Sequence, residues 1–137
     1  MTEPTTPPST AWGLFPLRAV VGIVFLMHGG QKLFVYGFDG TTNAMIQMGI
    51  PLPAVSAVVV ALVEFLGGVA LLTGLWARWA ALLLVGDMAV AILAVRLKGG
   101  FFAPRGFEFE LTLLGAALTV ALIGPGRGPL DRFLHRQ

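Results

Sequence analysis

Four long apolar runs decide what this chain can fold into. They cover about residues 14–36, 54–75, 78–97 and 107–123, most of the 137-residue sequence. A helix crosses the hydrocarbon core of a bilayer with about 20 apolar residues. The stretch "WAALLLVGDMAVAILAV" in the third run carries one ionisable side chain, Asp87. A soluble helix bundle needs a polar outer face on every helix, and this stretch cannot supply one. Composition agrees: 12% of residues are charged, against about 25% in soluble domains, and the mean hydropathy is +0.84. The expected fold class is therefore all-α and integral to the membrane, a four-transmembrane-helix bundle.

The breaks between the runs fit that reading. Pro51 and Pro53 of "PLP" suit the start of a helix. "GLWAR" joins the second and third runs as a tight hairpin, and "GPGRGP" stops the fourth. Residues 1–13, with "TEPTTPPST", read as a disordered polar tail, and residues 125–137 as a basic C-terminal tail. The start lacks the cationic segment of a cleaved signal, so the first run is expected to stay in the protein. Four spans put both termini and the hairpin on one face, with Arg18, Arg78, Arg127, Arg132 and Arg136. Lys32, Arg96, Lys98 and Arg105 fall on the other, so the cation balance favours cytoplasmic termini by a narrow margin. Trp12, Trp76 and Trp79 form an aromatic belt on the terminal face.

Several functions are excluded. The net charge of +2 and the lack of a basic, aromatic-interleaved stripe argue against nucleic acid. Without cysteine the chain alone can be neither a disulfide scaffold nor a thiol relay, and it has no Cys-ligated metal. No dinucleotide loop is present. His28 and His135 fall on opposite faces, so they cannot jointly hold a haem.

The informative residues are the polar ones inside the runs. An ionised side chain at mid-bilayer costs about 2.5–3.5 kcal/mol on insertion scales, and such groups usually face the bundle interior and find partners. With a rise of about 1.5 Å per residue, Glu64 and Asp87 lie near the centres of their spans and His28 slightly off centre. Gln31, Lys32, Arg96 and Glu108 lie toward the face of the long loops. In "FLMHGGQKL", His28 is three residues before Gln31 and four before Lys32, so the three share a helix face. Glu108 is expected to turn inward as the counter-charge of Lys32, with Glu110 toward the headgroups. Glycines in each span allow helices to approach closely. The expected product is a protonatable cavity with an acidic floor of Glu64 and Asp87 and a mouth of Gln31, Lys32, Arg96 and Glu108.

Plainer readings compete. Lys32, Arg96 and Arg105 can snorkel to headgroups, and Arg18 reads best as an interfacial anchor. Glu64 and Asp87 can form a structural salt bridge to His28 or an arginine, and Gln31 an interhelical hydrogen bond. "VEFLGGVALLTG" and "FELTLLGAALTV" look alike only as apolar helices with one glutamate, and no internal repeat is read from them.

An arginine opening the first span, then "GIVFLMHGGQKL", "VEFLGG", and "GFFAPRGFEFELTLLGAAL" leading into the fourth span together resemble the DoxX family of small bacterial membrane proteins. The likeness covers about residues 14–134. By that pattern Arg18, His28, Gly29, Lys32, Glu64 and Glu108 occupy family motif positions, with Asp87 less firmly placed. The resemblance implies a four-helix inner-membrane bundle with an oxidoreductase role; one member of the family is a subunit of a thiosulfate:quinone oxidoreductase.

Three functions follow as alternatives. The first is a quinone-linked redox subunit: His28 or Lys32 binds a quinone oxygen while Glu64 or Asp87 exchanges the accompanying proton. Its electrons come from a redox partner protein or the substrate, since the chain carries no electron carrier. The second is a non-catalytic scaffold or chaperone for a redox partner. The third is a small proton-coupled carrier, for which four helices are few unless the chain forms a homo-oligomer. Whether the chain is catalytic stays open at this level.

Overall fold

A computed structural model of the protein describes residues 7–124 and 126. The described residues are helical and contain no strand. Helix α1 spans Pro8–Gly30 and continues through a π-helical stretch, Gln31–Val35. Helix α2 spans Gly37–Gln47, α3 spans Pro53–Thr73, and α4 spans Ala77–Ala91. A second π-helical stretch, Ile92–Arg96, and a 3₁₀ turn, Leu97–Gly99, prolong α4. Helix α5 spans Glu108–Ile123.

Three of these units, Pro8–Val35, Pro53–Thr73 and Ala77–Gly99, are long and apolar enough to cross a membrane. Helix α5 has 16 residues, about 24 Å at the helical rise, and falls short of the length the other three reach. The chain is thus a multi-pass membrane protein that lives in lipid. Its outer faces carry Leu62, Leu66, Leu83, Val90 and Leu93, all exposed, the reverse of a soluble bundle. Trp12, Trp76 and Trp79 are exposed as well.

Antiparallel packing sets the architecture. Helix α1 packs chiefly on α3, α4 on α5, and α3 on α4 through the hairpin at Gly74. The α1–α3 seam is the tightest. A Cβ on Gly29 would run into the backbone of Phe65, and one on Gly68 into the backbone of Leu26. Small residues let membrane helices approach this closely because packing, not water exclusion, drives their association. The apolar core lies between the four long helices, with Phe25, Leu71, Leu84, Met88, Leu113 and Val120 among its members.

Two expectations need correction, and a third falls outside the described residues. The N-terminal tail is shorter than expected, because α1 already begins at Pro8; proline is tolerated at a helix's first position since its missing N–H has no partner there anyway. The basic tail expected over residues 125–137 lies, except for Gly126, outside the described residues. The connection after the first run is not a plain loop: α2 forms within it and packs on α3. Its buried positions, Thr41 and Met45, are four residues apart, on one helical stripe.

Candidate functional site

At the end of the bundle away from the hairpin, α3 and α4 enclose a cavity of about 520 Å³ with α1, α2, α5 and the π-helical stretches. His28, Lys32, Glu64, Asp87, Arg96 and Glu110 supply its ionisable lining. Its apolar lining includes Leu52, Val55, Val59 and Val90, which are also exposed on the outside of the bundle. The cavity therefore communicates with the surroundings through a rim of aliphatic side chains on α3 and α4. In a membrane this rim faces acyl chains.

The inner wall is a buried ion pair. Lys32 Nζ donates to Glu64 Oε2 at 2.6 Å, with the two side chains 20% and 7% exposed. The α-helix gives way to π geometry just before Lys32, with the Tyr36 N–H bonding back to the Gln31 carbonyl, five residues earlier. Such wide turns rotate the following side chains out of α register and occur often at functional sites. One displaced carbonyl, that of Lys32, is taken up by the buried hydroxyl of Thr41 at 3.0 Å. Helix α2 thus holds the stretch that carries the lysine. Asp87 sits across the α3–α4 seam as the carboxyl neighbour of Glu64, with Lys32 also in electrostatic range. Its Oδ2 is buried and accepts no hydrogen bond among the described residues.

A second pair closes the other side. Arg96, at the end of the second π-helical stretch, donates from Nε to Glu110 Oε1 at 2.9 Å and from Nη1 to the Pro104 carbonyl at 3.0 Å. Glu110 is buried, and its Oε2 has no partner among the described residues. His28, an exposed residue, also lines the cavity. Its Nδ1 lies 2.8 Å from the Val24 carbonyl, and its ring packs at a tilt against Phe109, centroids 5.8 Å apart.

The structure brings together His28, Lys32, Glu64, Asp87 and Arg96 of the residues singled out in the sequence. It does not bring in Gln31 or Glu108. Gln31 is exposed and outside the cavity lining, because the shared face assumed α periodicity and the chain leaves it at that residue. Glu108 does not pair with Lys32. Its Oε1 accepts the Ala103 N–H at 2.8 Å and fastens the connection into α5. Residues two apart on a helix point nearly opposite ways, so with Glu108 turned to the connection it is Glu110 that faces inward. Arg18 is buried at 1% exposure under the α3–α4 turn, its Nη1 3.0 Å from where a Cβ on Gly74 would lie, and is not an interfacial anchor. Glu110 was legible in one respect. Aligning "VEFLGG" with "FELTLL" puts it at the position of Glu64.

Comparison with known proteins agrees with the fold. The DoxX family model matches residues 13–97, from α1 to the end of the second π-helical stretch. A relative in Bacillus subtilis (strain 168) named "Putative oxidoreductase CatD" is 34% identical over 124 residues, covering 90% of this chain and 88% of its own. An uncharacterised membrane protein of Mycobacterium tuberculosis is 34% identical over 132 residues, covering 88% of this chain and 80% of its own. The inner membrane protein YqjF of Escherichia coli is 33% identical over 132 residues, covering 91% of this chain and 94% of its own. No solved structure matches the chain. With the family model covering more than half of the sequence and relatives aligned along nearly its whole length, the chain belongs to the DoxX family of membrane proteins.

Proposed function

We propose that this chain is the quinone-binding subunit of an inner-membrane oxidoreductase, a four-span bundle with cytoplasmic termini in which α5 forms the fourth and shortest span. One observation carries the reading: a single cavity joins an exposed aliphatic rim to a cluster of the buried Glu64 with the part-buried Lys32 and Asp87. Ligand pockets of about 300–1,000 Å³ that are mostly apolar with a few convergent polar groups fit small amphiphiles. A membrane quinone has this division, an alkyl tail for the rim and an oxygenated ring for the polar end.

The chemistry asked of the cluster is proton exchange. Interconversion of a quinone and its quinol moves two electrons and two protons. Two carboxyl groups sharing one ammonium can take up or release a proton while the cation keeps the site from accumulating charge. His28 and Arg96–Glu110 border the headgroup space. The electrons pass to or from a partner protein or the bound substrate itself. The name of the Bacillus relative supports an oxidoreductase role without fixing the substrate.

The test is retention of quinone. Protein extracted from its native membrane into lipid nanodiscs is expected to hold about one quinone, oxidised or reduced, by organic extraction and mass spectrometry. Val59→Trp, which fills the rim, is expected to remove it. A preparation that keeps a partner protein but never holds or binds a quinone in either redox state favours the scaffold reading instead.

A further inference from the structure

We propose that the connection between α4 and α5 is a docking site for the headgroup of an anionic phospholipid, with Lys98 and Arg105 as its charged pair and Phe101 and Phe102 as its apolar footing. The proposal is independent of the quinone reading and concerns the outer surface at the same end of the bundle.

The unit Ala77–Gly99 is long and apolar enough to cross a membrane, and its last outward aliphatic residues, Leu93 and Leu97, are 71% and 52% exposed. Lys98 follows at once, where the apolar surface of a span gives way to headgroups. The connection brings Arg105 back to the same place: a Cβ on Gly99 would run into the Arg105 carbonyl, so the two cations stem from neighbouring stretches of backbone. Both are exposed, and neither side chain makes a hydrogen bond or ion pair among the described residues. The loop is fastened before any ligand arrives. The N–H groups of Gly106, Phe107 and Glu108 donate to the carbonyls of Phe102, Gly100 and Phe101 at 2.8, 3.0 and 2.9 Å. Arg96 holds the Pro104 carbonyl, and Glu108 accepts the Ala103 N–H. Glu108, the carboxylate of the connection, thus pairs with neither cation, and binding orders little that is not already ordered. Phe101 and Phe102 are 47% and 75% exposed. Exposed phenylalanine and leucine beside unpaired cations suit an anionic bilayer surface, with the rings among acyl chains and the cations on phosphate. An acidic protein segment would match the charge and leave those rings without a partner.

The measurement is lipid-selective quenching at the loop. Trp12, Trp76 and Trp79, at the other end of the bundle, are changed to Phe, and Phe102→Trp supplies the reporter in the full-length protein. The probes are phosphatidylcholine vesicles containing either brominated phosphatidylglycerol or brominated phosphatidylcholine. Each cation near an anionic surface is worth about fivefold in association, so the phosphatidylglycerol is expected to associate about tenfold more strongly at the reporter. The preference is expected to shrink as salt is raised. Lys98→Gln/Arg105→Gln is expected to bring it close to one, and the charge-preserving Lys98→Arg/Arg105→Lys to keep it. Equal association of the two lipids overturns the proposal, as does a preference that survives the glutamine variant or is lost in the charge-preserving one. Displacement of the phosphatidylglycerol by inorganic phosphate at constant ionic strength marks a site for the free anion and overturns the lipid assignment.

Discussion

The two ion pairs of the cavity are built alike and placed differently. In each, a long helix passes into a π-helical stretch that carries a cation, and the antiparallel partner helix supplies a glutamate: Lys32 with Glu64, Arg96 with Glu110. The first pair lies deep in the tight α1–α3 seam and borders a further carboxyl group, Asp87. The second lies where α4 runs into the connection to α5. Arg96 is 41% exposed there and divided between a side chain and a backbone carbonyl. The first has the setting of a chemical centre and the second that of a clasp. The same local device differs in consequence because tertiary packing covers the cation of one copy more fully than that of the other.

The largest expected effects test the seam that covers the first pair. Gly68→Ala puts a Cβ into the backbone of Leu26 and is expected to cost more than about 3 kcal/mol, the upper range of overpacking. Gly115, on α5, would place a Cβ in open space, so Gly115→Ala is expected to stay within about 1 kcal/mol of wild type, the span of helix propensity. Thermal unfolding in detergent compares the two directly. Equal losses would mean that the α1–α3 seam is no more closely packed than α5.

Next come the pairs themselves. Lys32→Met leaves Glu64 buried without its cation and is expected to cost about 3–5 kcal/mol, whereas the double variant Lys32→Met/Glu64→Leu recovers most of that loss. Recovered stability without recovered binding of a quinone would separate the proposed chemical role of the pair from its structural one. Thr41→Val removes the hydroxyl that holds the Lys32 carbonyl and is expected to cost about 1–3 kcal/mol, while Thr41→Ser costs less. The smallest effect belongs to the clasp. Arg96→Met also leaves a buried glutamate, Glu110, without its cation, but at a site whose cation is 41% exposed, and is expected to cost about 1–2 kcal/mol, below Lys32→Met. A loss as large as that for Lys32→Met would erase the distinction between the pairs.

Much of this was readable from the residues. Hydrophobic run length placed the helices, because a span's requirement is local and one-dimensional. The cost of burying charge singled out Glu64, Asp87, Lys32 and His28, and all four line the cavity. Facing direction was less legible. The inward choice between Glu108 and Glu110 turned on a connection whose path depends on Arg96 holding the Pro104 carbonyl and Glu108 accepting the Ala103 N–H. Gln31 was misplaced because a π-helical turn leaves no mark in hydrophobic periodicity. Helix α2 was missed because only two of its residues, Thr41 and Met45, are buried, in a polar setting.

The sequence by itself determined that the chain lives in lipid, where its long helices run, and that its buried charges must find partners, since a rise of about 1.5 Å per residue and the cost of solvating charge in hydrocarbon need no knowledge of neighbours. Tertiary structure alone decided which partners they find. Pairing depends on helix rotation, and rotation is set where backbones touch, as at Gly29 and Gly68, and where a wide turn shifts the register, as at Lys32 and Arg96.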